Sequence, residues 1–559
     1  DNENVRILLR FFHFTQYQKQ ALIRGETIQC FGEIKLGRQG LEMHHPEYRI
    51  ISQDQKPLLE STLTPVYPLC AGVSQNKMKK WVNEALDVLK NSVIDDYFEK
   101  ITNNTLPNLK NSLFLLHHPD KNEDLSKIES FKHASQQRLI IEELATHQLS
   151  LLKTKEARKK KKSQPFLIKN TLSNKLKESL EFKLTSAQSR CINQINDDLS
   201  SAEPMLRLLQ GDVGSGKTIV AVFALLQAAE NNLQTAVMAP TEILARQHLL
   251  NFSNYLSPLG ITIAFLSGSQ NTHERKDNLN LIENGKAKVI IGTHSLFQES
   301  VNFDDLALVV IDEQHKFGVH QRLSLSKKAS LTPHQLVMTA TPIPRSLTMS
   351  AYADLDTSII DELPPGRQSI ETVALSNARR DELINKIQKI AQEGRQIYWV
   401  CTLIEESEAL RAESAEKTFS YLSDRLQELK VVMIHGRLTK TEKEIIMTDF
   451  ASGKINLLVA TTVIEVGVNV PNASLMIVEN SERLGLAQLH QLRGRVGRGS
   501  EKSACVLLYQ SPLSQTAKQR LDILRQSNDG FLIAQKDLEL RGPGEILGTQ
   551  QTGIASMKI

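Results

Sequence analysis

Gly211-Asp212-Val213-Gly214-Ser215-Gly216-Lys217-Thr218 fits the pattern G-x-x-x-x-G-K-[ST], and its flanks decide the fold. Leu206, Leu208 and Leu209 lead into it as a short apolar strand, and Ile219-Val220-Ala221-Val222-Phe223-Ala224-Leu225-Leu226 leaves it as a buried helix. A glycine turn between strand and helix aims uncommitted backbone N–H groups at phosphate oxygens. Gly211, Asp212, Val213, Gly214, Ser215 and Gly216 are expected to form that cradle. Lys217 should reach the β- and γ-phosphates of a nucleoside triphosphate, and Thr218 should hold Mg²⁺ through its hydroxyl.

About a hundred residues on, Leu308-Val309-Val310-Ile311 ends in Asp312-Glu313-Gln314-His315. An acidic pair after an apolar strand is commonly a solvated strand end; beside a phosphate loop it supplies what such a loop lacks. Asp312 is the expected metal partner, and Glu313 the base that orients and deprotonates the attacking water. Open α/β sheets gather their ligands at the carboxyl ends of strands, where this pair falls.

At 559 residues the chain is too long for one core and suggests three or four domains. No apolar run reaches membrane-spanning length and no signal-peptide pattern opens the chain, so no membrane partner is expected. The five cysteines lie far apart without C-x-x-C spacing, which argues against zinc and for a reducing, cytoplasmic setting. A net charge of +4 says little about partners, but ten basic residues and one acidic residue lie between Lys153 and Lys177. The run of lysines at 159–162 reads as a solvated helix end or a track for DNA phosphate. The chain opens on Asp1 and enters an apolar strand at once, so it is expected to be part of a longer protein.

The composition changes along the chain. Residues 1–55 carry strand signals broken by Gly25, Gly37 and Gly40, as in a small β-barrel. Residues 56–165 turn helical, ending in a basic run and the break Ser163-Gln164-Pro165. Residues 166–360 alternate apolar strands with helices and predict a parallel α/β sheet, and Asp361-Glu362-Leu363-Pro364-Pro365-Gly366-Arg367 reads as a linker. A second α/β series fills 361–515, and 516–559 forms a last segment. The second series has no phosphate loop, so nucleotide is expected in a cleft between the two α/β domains.

His490-Gln491-Leu492-Arg493-Gly494-Arg495-Val496-Gly497-Arg498-Gly499 is the counterpart such a cleft needs. An arginine that meets the γ-phosphate only on closure ties hydrolysis to movement. Arg495 and Arg498 are the candidates, with Gln491 on the same segment; a basic loop on nucleic acid phosphate is the alternative. In the first segment Phe12, Phe14 and Tyr17 are candidates for stacking on exposed bases. Phe11 and Phe12 cannot both face outward on a strand, so one of them should be core.

Residues 182–188, 211–218, 239–242, 292–294, 312–315, 339–342, 461–470 and 491–498 resemble, in order, the motifs of superfamily 2 helicases. The resemblance implies two RecA-like domains. It implies that Phe182 and Gln188 meet the adenine, that Thr339, Thr341 and His315 couple hydrolysis to DNA, and that Thr241, Thr293 and Thr462 touch the DNA backbone. Asp312-Glu313-Gln314-His315-Lys316-Phe317-Gly318 with Thr341-Pro342-Ile343-Pro344-Arg345 is similar to the branch that holds the RecG family and the transcription-repair coupling factor. Residues 531–545, with Arg541, resemble the translocation motif both share. Residues 37–48 and 63–68 resemble the oligonucleotide-binding wedge of the RecG family and the segment after it.

The resemblance implies an ATP-dependent translocase of 3′–5′ type that unwinds and branch-migrates forks, Holliday junctions and R-loops in DNA repair and recombination. It would act as a monomer at the nucleoid, with a single-strand DNA-binding protein as a further candidate partner. Two other readings remain at this point: a coupling-factor motor acting on stalled RNA polymerase, and a branched-DNA clamp that uses ATP only as a switch.

Overall fold

The computed structural model of the chain describes residues 6–37, 40–51, 65–70, 72–101, 105–120, 122–313, 328–339, 342–344, 355–365, 367–402, 408–461, 472–497 and 502–541, with isolated residues 63, 325, 470 and 499. His315, Thr341, Thr462 and Arg498 fall outside the described residues. So do the side chains of Tyr17 and Arg541, although both backbones lie in helices. The chain divides into two compact units, residues 1–146 and 147–558.

The first unit begins with five short strands: β1 (Ile7–Arg10), β2 (Thr27–Phe31), β3 (Ile34–Gly37), β4 (Gly40–His44) and β5 (Glu47–Ile51). They form a three-stranded sheet in the order β1-β4-β3 and an antiparallel pair of β2 with β5. Their burial is thin: the sheets contribute Met43 to the core, while Phe31 and Leu36 stay exposed. Phe11 and Phe12 follow β1 in a bend, beyond the strand itself. Phe11 sets its ring edge-on to Tyr48 at 5.5 Å and is half-buried, while Phe12 is 61% exposed. Neither lies on the strand, so strand alternation does not decide which of them turns inward, and Phe11 is not part of the buried core. Helices follow, including Gln75–Asn91, Leu109–His117 and the long α1 (Ala134–Lys159). Arg138 on α1 is buried against Asp96 at 2.6 Å, which compensates a charge that could not otherwise be removed from water.

The second unit holds two all-parallel sheets. Lobe 1 has seven strands, β6 (Leu206–Gly211), β7 (Gln234–Met238), β8 (Ile263–Leu266), β9 (Val289–Gly292), β10 (Leu306–Asp312), β11 (His334–Thr339) and β12 (Asp356–Ile360), in the order β12-β6-β11-β10-β7-β9-β8. Lobe 2 has six, β13 (Glu371–Ser376), β14 (Gln396–Val400), β15 (Val431–Ile434), β16 (Leu457–Ala460), β17 (Ala473–Val478) and β18 (Ala504–Tyr509), in the order β13-β18-β17-β14-β16-β15. Central strands such as β7, β14 and β17 are buried along their whole length, because helices cover both faces of a parallel sheet. That is why they read as unbroken apolar runs. β12 and β13 do not, since each is an edge strand with polar and part-exposed positions, and neither stands out in the sequence.

Helix α2 (Ser186–Leu199) starts with a capping box in which Thr185 and Gln188 satisfy each other's backbone N–H groups. Helix α3 (Lys217–Glu230) leaves the phosphate loop and is buried from Ile219 to Ala228. Helix α4 (Glu242–Leu256) is capped by Thr241, whose side chain accepts the Leu244 N–H. Lobe 2 adds α5 (Leu486–Arg493), then α6 (Gln515–Gln526) and α7 (Gly530–Arg541), which pack against each other as a helical hairpin.

The expected linker is anchored at its start. Asp361 pairs with Arg190 at 2.7 Å, and Glu362 accepts from Ser186 Oγ and the Ala187 N–H at the head of α2. The basic end of α1 is also employed: Lys155 and Arg158 reach Asp356 at 2.8 and 3.6 Å, and Lys159 reaches Glu203 at 3.2 Å.

Phe223 lies at the centre of α3 and is 1% exposed. Phe223→Ala should destabilise lobe 1 by about 3–5 kcal/mol. Urea unfolding followed by circular dichroism reads this as an earlier first transition.

Candidate active site

Because every strand of lobe 1 runs the same way, its motif residues collect at one edge. Gly211 closes β6, Asp312 closes β10, Thr339 closes β11, and Thr241 and Thr293 follow β7 and β9 within a few residues. The phosphate loop needs the left-handed backbone at Gly214 (φ 77°) and Gly216 (φ 88°). A Cβ at Gly216 would run into the side chain of Gln188, so glycine is required for space as well as for conformation. Lys217 Nζ donates to the carbonyls of Gly211 at 2.6 Å and Asp212 at 2.8 Å, and Ser215 N–H to the Asp212 carbonyl at 3.0 Å.

Gln188 is 2% exposed; its oxygen accepts the Thr185 N–H at 3.0 Å and its nitrogen donates to the Ser215 carbonyl at 2.9 Å. It therefore links the α2 cap to the phosphate loop. Phe182, 42% exposed, offers an open aromatic face.

Asp312 Oδ2 accepts from His248 Nε2 at 2.8 Å, and Oδ1 from the Glu313 N–H at 3.1 Å. Burial alone would raise the carboxyl's pKa. The His248 bond, the Lys217 charge and the Glu313 N–H outweigh it and hold the group below its ordinary value. An ionised carboxylate near Lys217, with the Thr218 hydroxyl in the first turn of α3, is a donor set that suits Mg²⁺, an ion that takes few protein oxygens and shares phosphate ones. Glu313 holds a left-handed backbone, φ 54°, unusual for a side chain of that size and typical of a site where geometry outranks comfort. Thr293 and Thr339 are buried at 4% and 3% exposure.

Two further residues escaped the sequence reading. His248 stands seven places after Thr241 on α4, hence on the same face two turns later, and stacks on Phe252 at 5.3 Å while it holds Asp312. That spacing was the available signal. Arg367, at the end of the linker, donates to the Val213 carbonyl; burial pushes its guanidinium's pKa down and Asp212 pulls it back up. Nothing local in the sequence distinguishes Arg367.

Lobe 2 meets the phosphate loop through α5. His490 Nε2 donates to Asp212 Oδ1 at 2.5 Å, and the Gly530 N–H to Asp212 Oδ2 at 3.0 Å. At Gly494 a Cβ would stand 2.9 Å from that of Val213, so the two backbones approach as only glycine permits. Gln491 lies on α5, and Arg495 is 7% exposed just beyond it. A cleft between the lobes is lined by Asp212, Val213, Arg367, His490, Arg493 and Asn528. The structure thus brings Lys217, Thr218, Asp312 and Glu313 to one edge and His490 to the loop across from it.

Two parallel sheets, one bearing the phosphate loop and the other closing on it, define a nucleoside-triphosphate-driven helicase motor. Residues 185–350 match the DEAD/DEAH box helicase family and 379–500 the helicase conserved C-terminal domain. Residues 1–89 match the RecG wedge domain, and 527–559 the C-terminal part of domain 3 of the ATP-dependent DNA helicase RecG. The chain is 52% identical to the ATP-dependent DNA helicase RecG of Escherichia coli K12 over 557 residues, 99% of this chain and 80% of that one. With RecG of Haemophilus influenzae the identity is 50% over 558 residues, again 99% and 80%. A solved structure of RecG bound to a three-way DNA junction superposes with a TM-score of 0.71 at 37% identity, covering 98% of this chain and 72% of that one. The chain belongs to the RecG family of ATP-dependent DNA helicases.

His248→Ala should lower the maximal rate of ATP hydrolysis by about 10–100-fold, the usual effect of losing the partner that orients a metal-binding carboxylate. His248→Asn, which keeps a donor, should recover part of that loss; steady-state phosphate release measures both.

Proposed function

We propose that this chain is a motor that turns ATP hydrolysis into movement along duplex DNA and so unwinds and re-pairs branched DNA such as forks and Holliday junctions. The observation that carries the reading is the junction at Asp212, where the phosphate loop of lobe 1 is bonded to both α5 and the hairpin of lobe 2. A loop that must reshape around phosphate cannot do so without disturbing those contacts. The three-way junction bound by the related RecG supports a branched substrate, and the matching wedge segment supports a separating element at the branch.

Within this reading Lys217 and the loop N–H groups hold the phosphates, and Thr218 and Asp312 would hold Mg²⁺. Bound there, the ion would offset charge on the phosphate oxygens. Glu313 takes the proton of the attacking water, and Arg495, with Arg498 and Gln491, faces the transferred phosphoryl from lobe 2. Phe182 and Gln188 take the adenine. Thr241, Thr293 and Thr462 contact the DNA backbone, while His315, Thr339, Thr341 and Arg541 relay between DNA and nucleotide. Phe12 and Phe14, both exposed by about 60%, stack at the branch point together with Tyr17.

The same reading assigns residues 1–55 to the wedge, 56–165 to a helical linker, 166–360 and 361–515 to the two helicase domains and 516–559 to the translocation segment. We further assign the motor 3′–5′ polarity and a monomeric state, and a single-strand DNA-binding protein as partner; DNA as substrate places its work at the nucleoid. Among the described residues no helix is long and apolar enough to cross a membrane.

Glu313→Gln is expected to bind ATP and forked DNA but to lose turnover by about 10²–10⁴-fold. Phosphate release measured side by side on fork, linear duplex, single-stranded DNA and RNA should be fastest on the fork for the parent chain; equal rates on all four would remove the motor reading. Phe12→Ala should weaken binding to a fork by about 1–3 kcal/mol and to plain duplex hardly at all, as read by fluorescence anisotropy.

A further inference from the structure

The second position of a phosphate loop is left open by its pattern, yet here it carries a carboxylate that is wholly committed. Asp212 Oδ1 accepts from His490 Nε2 at 2.5 Å and Oδ2 from the backbone of Gly530 at 3.0 Å. His490 is itself fixed, since Arg493 donates to its Nδ1 at 2.8 Å. That bond requires the neutral tautomer with its proton on Nε2, the nitrogen that faces Asp212. The other terminal nitrogen of the Arg493 guanidinium, Nη1, donates to the carbonyls of Leu524 at 2.9 Å and Ser527 at 2.8 Å. Leu524 lies in the last turn of α6, Ser527 caps it, and Gly530 is the first residue of α7.

One carboxylate therefore holds the hairpin turn from both sides, directly at α7 and through His490 and Arg493 at α6. The fit leaves no spare room: a Cβ on Gly530 would collide with Asp212 and stand 2.6 Å from His490 Nε2. Gly530 has no positive φ to explain its identity, so close approach is the reason for it. The backbone of Asp212 is in turn held by Lys217, whose ammonium bonds its carbonyl at 2.8 Å.

We propose that Asp212 is a positioning residue that latches the helical hairpin of lobe 2 to the phosphate loop, so that Lys217, on leaving the Asp212 carbonyl for phosphate, releases the hairpin turn. The nucleotide and the hairpin then bias the same small element, which is the physical requirement for coupling two sites. Lys217 cannot satisfy the loop carbonyls and a triphosphate with the same three protons at full strength. The latch is thus strongest without nucleotide and weakest when phosphate is engaged. Its loss should leave a motor that consumes ATP without delivering the movement.

The inference rests on the chain being an ATP-driven DNA motor, and the experiment separates the two. ATP hydrolysis and strand displacement are measured together on a labelled fork with the full chain, for the parent, Gly530→Ala, Asp212→Ala, Asp212→Asn and the double variant Asp212→Ala/Gly530→Ala. Gly530→Ala should keep DNA-independent hydrolysis within about threefold of the parent and raise the ATP consumed per strand displaced by about tenfold or more. The double variant should be no worse than the poorer single variant, because both changes break one contact. Asp212→Asn, which keeps acceptor geometry toward Gly530, should fall between parent and Asp212→Ala and serves if the alanine variants unfold. Hydrolysis and displacement that fall in equal proportion, or single effects that multiply in the double variant, would overturn the latch. No stimulation of the parent by DNA would instead overturn the motor reading.

Discussion

The parallel pairing of strands in both lobes is the constraint on which everything else depends. A parallel sheet delivers every strand's carboxyl end to the same edge, so residues more than a hundred positions apart in the chain become neighbours without any contact specific to them. Gly211 and Asp312 are brought to one edge because β6 and β10 flank β11 in register, with Met338 opposite both Leu209 and Asp312. Burial of both faces enforces that arrangement. A parallel strand shifted by one residue would turn its whole side-chain set, and these strands have no polar face to accept the change.

Charge at the site is arranged by the same economy. Two half-buried carboxylates, Asp212 and Asp312, stand near one ammonium, Lys217, and each is held ionised by a histidine from another element, His490 from lobe 2 and His248 from α4. For Asp212, burial would favour the neutral acid, and the His490 hydrogen bond, the Gly530 N–H and the Lys217 charge outweigh it. The two carboxylates differ in their partners: Asp312 is tied within lobe 1, and Asp212 is tied to lobe 2.

The wedge stands apart in its physics. Its strands are short and its sheets bury little, and aromatics such as Phe12 and Phe14 are exposed instead of filling a core. The motor unit, by contrast, spends its aromatics inside, with Phe223, Phe252 and Trp399 fully buried.

Much of this was legible in the chain. The phosphate loop, the acidic strand end and the two series of apolar strands follow from local patterns, because a buried parallel strand and a phosphate turn each need particular residues in consecutive places. The edge strands β12 and β13 were not legible, since half-exposed strands carry no continuous apolar run. Neither was the anchoring of the linker by Arg190 and the head of α2, nor the roles of His248, Arg367 and Gly530. Sequence by itself determined the elements, their kind and the chemistry at their ends. Only the tertiary structure decided which side chains from distant segments share a hydrogen bond, because such bonds depend on strand order and lobe contact, which leave no local trace.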